Sequence, residues 1–280
     1  MSKLILINAD DFGISKDTNI AILKGLQEGS LTSTSLIANT DAFEHAVCEI
    51  LPQINIKPGI HLNIIEGKSL LKKHKTSLLC GNDGDFNNGY LALWAKSNNP
   101  KFLEETEMEF RSQIEKILNK TTTASHIDSH VHTHAIPKIF ELTCKLAQEY
   151  GIKYIRTQKE IPYIIPSLKK NLNLKYPINL IKNGLLNSFT LRNKKTLQHY
   201  NLSTNDYFIG VSYTSFMDKK AIIQGIKAIR QDNCTIEIIL HPTINPQKKS
   251  NYEEFLTISL PALPEKIEQL GCSLVETFNR

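Results

Sequence analysis

Short runs of branched and leucine-rich residues recur along the chain, and between them apolar residues fall three or four positions apart. The first run, LILINA at 4–9, is apolar at nearly every position, as in a strand buried on both faces. The same reading predicts strands at 32–39 (TSTSLIAN), 58–65 (PGIHLNII), 124–130 (ASHIDSH), 152–157 (IKYIRT), 207–214 (YFIGVSYT), 235–242 (TIEIILHP) and 272–278 (CSLVETF). Helical spacing predicts one helix from an N-cap at Ser15 to Gly29 just beyond its C-cap, and another over DAFEHAVCEIL. Further helices are predicted over 103–119, with Phe110, Ile114, Ile117 and Leu118 on one face, and from Ile136 to Tyr150 with Gly151 as terminator. Two more are expected over 218–231 and 252–270.

Strands alternating with helices are the signature of parallel β/α units, so the predicted class is α/β: a (β/α) barrel of seven or eight parallel strands. Two stretches break the rhythm. Residues 66–100, with Gly67, Gly81, Gly84 and Gly89 among scattered Asn and Lys, read as a long insertion or lid, and 158–206 as a second excursion with helical pieces. With no internal repeat or low-complexity tract, the 280 residues read as a single domain over 1–280.

Composition removes several classes of function. Apolar residues make up 41% and charged residues 22%, ordinary globular usage that excludes a disordered chain. The net charge of +5 is spread along the sequence, and the clusters LKKHK (71–75) and LRNKK (191–195) read as solvated loop faces. No aromatic-interleaved basic stripe accompanies them, so no nucleic-acid partner is expected. The five cysteines never form a C-x-x-C pair, which argues against a disulfide framework or a zinc knuckle. No run approaches ~18 apolar residues, so no membrane span is expected, and the N-terminal apolar run is too short for a signal-peptide core. The expectation is a cytoplasmic protein, with homo-oligomerisation left open.

In a barrel of this kind the catalytic groups lie at the C-terminal ends of the strands. The ionisable residues gather there: Asp10 and Asp11 end the first strand, His61 is late in the third, HIDSHVHTH (126–134) leaves the fourth, Arg156 closes the fifth and His241 ends the seventh. Two adjacent carboxylates disfavour each other's ionisation unless a positive charge joins them. In an extended segment His126, Asp128, His130 and His132 would share one side, and imidazoles with carboxylates suit zinc, iron, cobalt, nickel or manganese. A metal ion would supply the missing charge. Plainer roles stay open: a turn or cap for the acid pair, a satisfied core position for His61, a neutralised acid for Arg156 and a loop-shaping role for His241 before Pro242.

NADDFG at the N-terminus, GIHLN around His61, HIDSHVHTH, and EIILHP near the end stand in the order and spacing of the YdjC/ChbG-like carbohydrate deacetylases. The chain resembles that family over residues 3–157 and 207–278. The resemblance implies a (β/α) barrel that removes acetyl groups from N-acetylated sugars, chito-oligosaccharides among them, with one divalent metal ion, magnesium or zinc. Position by position, it implies Asp11, His61 and His130 as metal ligands, Asp10 as catalytic base and His241 as acid. Relatives often carry a longer unbroken histidine run; Val131 and Thr133 interrupt it here, leaving His132 and His134 without an inherited role.

The residues' own chemistry suits that scheme. Amide hydrolysis needs a nucleophilic water, a stabilised oxyanion and a proton for the departing amine. Arg156 is suited to hold Asp10 ionised, and Asp128, with His126 and His132 as further candidates, to brace a ligand imidazole. Trp94 is a candidate for stacking on a sugar ring or for ordinary packing. Two other readings stand beside this one. A phosphoesterase or amidohydrolase barrel would share the D-x-H-x-H pattern of IDSHVHTH, although its histidine pair usually falls on the first strand. A non-enzymatic metal- or carbohydrate-binding protein on a degenerate barrel is the other. Sugar specificity is expected to reside in the two insertions.

Overall fold

The computed structural model describes residues 3–72, 75–166 and 175–278. Seven strands form one parallel sheet: β1 (Lys3–Phe12), β2 (Ser33–Leu36), β3 (Gly59–Leu62), β4 (Ile127–Ser129), β5 (Tyr207–Ile209), β6 (Thr235–Leu240) and β7 (Cys272–Leu274). Six follow the order β4-β3-β2-β1-β6-β5, and β7 lies off this path, paired with Lys3–Ile5 of β1. β2 to β6 are buried throughout and β1 from Ile5 onward, which is why β1 and β6 read as mainly apolar runs, whereas β2 (STSL) and β4 (IDS) bury polar side chains as well.

The helices are α1 (Lys16–Gln27), α2 (Phe43–His45, continuing as tighter and wider turns to Gln53), α3 (Tyr90–Lys96), α4 (Pro100–Thr121), α5 (Pro137–Glu149), α6 (Lys175–His199), α7 (Lys219–Ala228), α8 (Lys249–Ile258) and α9 (Ala262–Glu268). Ser15 caps α1 as expected, its hydroxyl accepting the Thr18 N–H at 3.1 Å. Phe110, Ile114 and Ile117 of α4 are fully buried, each such side chain contributing about 1.5–3 kcal/mol. Gly151 ends α5 with a left-handed φ of 71°.

Several expectations need correction. Residues 152–157 form no regular strand. Ile127 of β4 bridges Ile155, Ile155 N–H turns instead to Ser203 O, and Lys159 O accepts from Phe208 N–H of β5 at 2.9 Å. Residues 153–159 thus divide their backbone bonds among three neighbours, so no ladder forms, and the sheet curls round through single contacts. Gly29 does not take a left-handed conformation. It is required because a Cβ there would meet Ile258 O at 2.6 Å, so glycine allows α8 to approach. The helix expected over 252–270 is two, α8 and α9, broken ahead of Pro261, which lacks a backbone donor and disfavours helix before it.

The second insertion is dominated by one 25-residue helix, α6, which carries LRNKK in place of the expected loop; residues 167–174 lie outside the described residues. In the first insertion Leu79 and Leu93 are fully buried, and Ser69, Ser77 and Leu78 bond to Glu109 and Glu105, so this stretch packs against α4; residues 73–74, part of LKKHK, lie outside the described residues.

Candidate active site

Along β1 the register against β2 slips between Ala9, opposite Thr34, and Phe12, opposite Leu36, so β1 carries one residue more than its partner. Asp11 lies in this bulge with φ of 66°, a region that non-glycine residues rarely enter. In a regular strand Asp10 and Asp11 would point to opposite faces. The bulge re-aims Asp11, and both carboxylates reach one polar cluster at the C-terminal end of the sheet.

Asp11 Oδ1 lies 2.8 Å from His130 Nδ1 and 3.3 Å from His61 Nε2. His61 is opposite Asp128 in the β3–β4 register, and its Nδ1 meets Asp128 Oδ1 at 2.7 Å. Burial opposes a charge on His61, but Asp128, with Asp11 and Asp10, outweighs it and raises the imidazole pKa to about 10. For His130 burial again opposes the charge, and Asp11 and Glu66 raise it to about 9. Asp11 moves the other way: despite burial, His130 and His61 hold it well below the usual carboxylate range.

Arg156, fully buried, gathers the remaining carboxylates. Its Nη1 and Nη2 each donate to an Asp10 oxygen at 2.8 Å, Nη2 also reaches Asp128 Oδ2 at 2.6 Å, and Nε donates to Glu237 Oε1 at 2.7 Å. A bidentate fork of this kind is the strongest pairing a buried carboxylate can obtain. Burial alone would raise the Asp10 pKa; Arg156 reverses that and lowers it.

The expected alternation along 126–132 does not hold. The strand stops at Ser129, and Val131 and His132 turn with left-handed φ values of 53° and 56°. Ser129 Oγ accepts the His134 N–H at 2.8 Å and so closes this turn, which separates the histidines. His130 faces Asp11. His126 sits behind the cluster, its Nε2 near Ser35 Oγ (3.0 Å) and Asp128 Oδ2 (3.4 Å). His134 meets the Arg156 carbonyl at 3.0 Å, and burial lowers its pKa to about 4. His132 packs edge-on to Phe208, and its buried Nδ1 has no partner among the described residues.

His241, just past β6, keeps its side chain 29% exposed, with Nδ1 3.7 Å from Glu254 Oε2. Burial opposes its charge, but Glu254, Asp11 and Asp10 raise its pKa to about 9. Trp94 packs at 75° to Phe189 with ring centres 5.1 Å apart and keeps 37% of its surface exposed.

The ligand atoms of Asp11, His61 and His130 lie within 4.8 Å of one another. A carboxylate and two imidazoles, one braced by Asp128 through its second nitrogen, fit a divalent ion. The model of the YdjC-like protein family matches residues 4–269. The chain belongs to this family. It is 38% identical over 148 residues to a carbohydrate deacetylase of Clostridium beijerinckii, covering 53% of this chain and 58% of that protein. It is 39% identical over 153 residues to carbohydrate deacetylase 1 of Listeria innocua, covering 54% and 60%. The matched stretch thus spans less than two thirds of these relatives' length. A crystal structure from Enterococcus faecalis, described as a candidate cellobiose-phosphate cleavage protein, superposes with a TM-score of 0.75 at 21% identity, over 98% of this chain and 97% of that one. That likeness is one of fold.

Around the ligand cluster of this YdjC-like chain the structure adds residues that sequence reading did not single out. Glu66 Oε2 lies 3.1 Å from His130 Nε2, at the start of the first insertion. Ser35 and Asn8 connect Asp128 to Asp10 through bonds of 2.6, 2.8 and 2.7 Å. Glu237 is a lone acid within the apolar run TIEIIL, and a buried acid demands a cation; that signal was available in the sequence. Beside His130 and Glu66 opens a cavity of about 320 Å³, walled by Asn39, Asp41, Asn63, Lys68 and Asp85. Of the three donor residues, His130 lines this cavity, while Asp11 and His61 lie buried behind it.

Proposed function

We propose that the protein is a metal-dependent hydrolase that removes the acetyl group from an N-acetylated sugar. The observation that carries this reading is the pairing of a three-residue donor set, Asp11, His61 and His130, with a separate carboxylate, Asp10, that belongs to Arg156. One divalent ion, zinc or magnesium, would be held by those three residues and would supply an acidified water and a polarised acyl oxygen.

The chain's own residues divide the remaining work. Asp10 receives the water's proton; Arg156 keeps it ionised and aimed, and its lowered pKa suits a base that deals only with an already acidic donor. His241, protonated at neutral pH, delivers a proton to the departing sugar nitrogen. Asp128 fixes His61 through Nδ1, while His126 and Ser35 brace Asp128 from behind. The cavity beside His130 receives the sugar, and its amide and carboxylate walls suit a polyhydroxylated ring. The same reading treats the curled sheet as a single-domain barrel closed through 153–159. It also places the enzyme in the cytoplasm, with a small sugar as partner.

Acetate release from a panel of N-acetylated mono- and oligosaccharides, with a chelator control and the Asp10→Asn variant, tests this. Chelator-sensitive, Asp10-dependent acetate is the expected result. Metal-bound protein that releases no acetate but cleaves chromogenic phosphate esters would replace this reading with that of a phosphoesterase.

A further inference from the structure

Between Glu160 and Asp206 the sequence holds 45 residues, 161–205, with seven Lys or Arg and no acid, although acids make up 28 of the chain's 280 residues. Most of this segment is α6, and its two faces are unusual. The inner face mixes Leu186, Phe189 and Leu197 with a row of buried amides. Asn183 Nδ2 donates to Ser212 Oγ at 2.7 Å, Asn187 Nδ2 to Glu160 O at 2.9 Å and Asn193 Nδ2 to Ala135 O at 2.9 Å. The outer face leaves Ile178 54%, Ile181 74% and Leu191 66% exposed. Ile164, 72% exposed, lies on the adjoining segment, which the Tyr176 hydroxyl ties to the first turn of α6 by donating to Tyr163 O at 2.7 Å.

Ile178, Ile181, Lys182 and Leu185 are spaced to fall on one helical face, with Arg192 two turns further on. Lys182, Arg192, Lys194 and Lys195 are exposed and form no ion pair among the described residues. Branched apolar side chains set in a field of unneutralised cations match the chemistry of an anionic bilayer surface, where the apolar tips enter the acyl boundary and the cations meet phosphates. A second copy of this chain would place cations against cations on a two-fold interface, so charge favours the lipid.

We propose that the outer face of α6, with Ile164, is a docking surface for an anionic lipid membrane. α6 also packs on the turn that follows His130, through Asn193 and Ala135, so docking would set the rim of the candidate site beside the bilayer. This contact is peripheral: among the described residues no helix is long and apolar enough to cross a membrane.

Flotation of the full chain with phosphatidylglycerol-containing vesicles, beside pure phosphatidylcholine vesicles, tests the proposal without any activity readout. Binding to the anionic vesicles alone, falling with added salt, is expected. Lys182→Gln and Arg192→Gln should each weaken it about fivefold. Ile178→Ser with Ile181→Ser should weaken it even at low salt, with circular dichroism confirming the fold. No flotation with anionic vesicles at low salt overturns the proposal, and needs no variant. So does binding that the isoleucine changes leave intact, which would mark a polyanion site. A dimer in light scattering that Ile181→Ser dissociates, with no vesicle binding, would assign the face to a second copy.

Discussion

Arg156 grips Asp10 through two parallel hydrogen bonds of 2.8 Å while the same guanidinium reaches Asp128 and Glu237. One cation thereby neutralises part of a group of three buried acids, and removing it leaves carboxylates that cannot all stay ionised. Arg156→Met is expected to destabilise the protein by about 3–5 kcal/mol in urea unfolding, the cost of uncompensated buried charge. Arg156→Lys should recover part of that loss and no more, because an ammonium cannot reproduce the fork.

The proposed function divides the labour of the acid pair. Asp11→Ala should abolish metal binding in isothermal titration calorimetry, whereas Asp10→Asn should bind metal near normally and lose turnover. Equal loss of metal in both variants would remove that division.

The imidazoles of the cluster give the metal-free protein a defined pH response. The pKa values of His61 and His130 are raised from 6.5 to about 10 and about 9. Their contribution to stability is therefore complete below about pH 6.5 and is lost as pH rises through 9 and 10. Urea midpoints of the chelated protein should fall between pH 7 and 10.5. A divalent ion must displace these protons, so its affinity should rise with pH, and calorimetry in buffers of different ionisation heat should count protons released on binding.

His241 owes its raised pKa of about 9 to Glu254, acting against burial, together with Asp11 and Asp10. If it is the acid, kcat falls as pH rises through 9, and Glu254→Gln moves that limb down by about one unit. A pH profile unchanged by Glu254→Gln would take the acid's role from His241.

Behind the cluster, a Cβ on Gly59 would sit 2.3 Å from the ring of His126, which braces Asp128. Gly59→Ala should cost about 1–3 kcal/mol and weaken metal binding, because His126 must move and Asp128 with it. Gly89, whose Cβ would meet nothing within 4 Å, serves as the control: Gly89→Ala should change stability by less than about 0.5 kcal/mol.

Much of this was legible in order along the chain. Buried strands declare themselves as apolar runs because both faces are covered, so β1, β3 and β6 fell close to where the pattern placed them. Their terminal Asp10, Asp11, His61 and His241 marked one end of the sheet. The strand expected at 152–157 does not form, because apolar content reports burial, whereas a ladder also requires consecutive backbone partners, which that segment divides among three neighbours.

By itself the sequence determined the α/β class, the end of the sheet where the ionisable groups gather and the acids and imidazoles that meet there, since these follow from local periodicity and from which residues end each run. Only the tertiary structure decided which groups pair. The bulge that re-aims Asp11, the turn that parts His130 from His132 and His134, and the gathering of Asp10, Asp128 and Glu237 around Arg156 all depend on register and on contacts across as many as 146 positions of chain. Sequence periodicity carries no record of such contacts, because a side chain's partner is set by where strands meet and not by the spacing along any one of them.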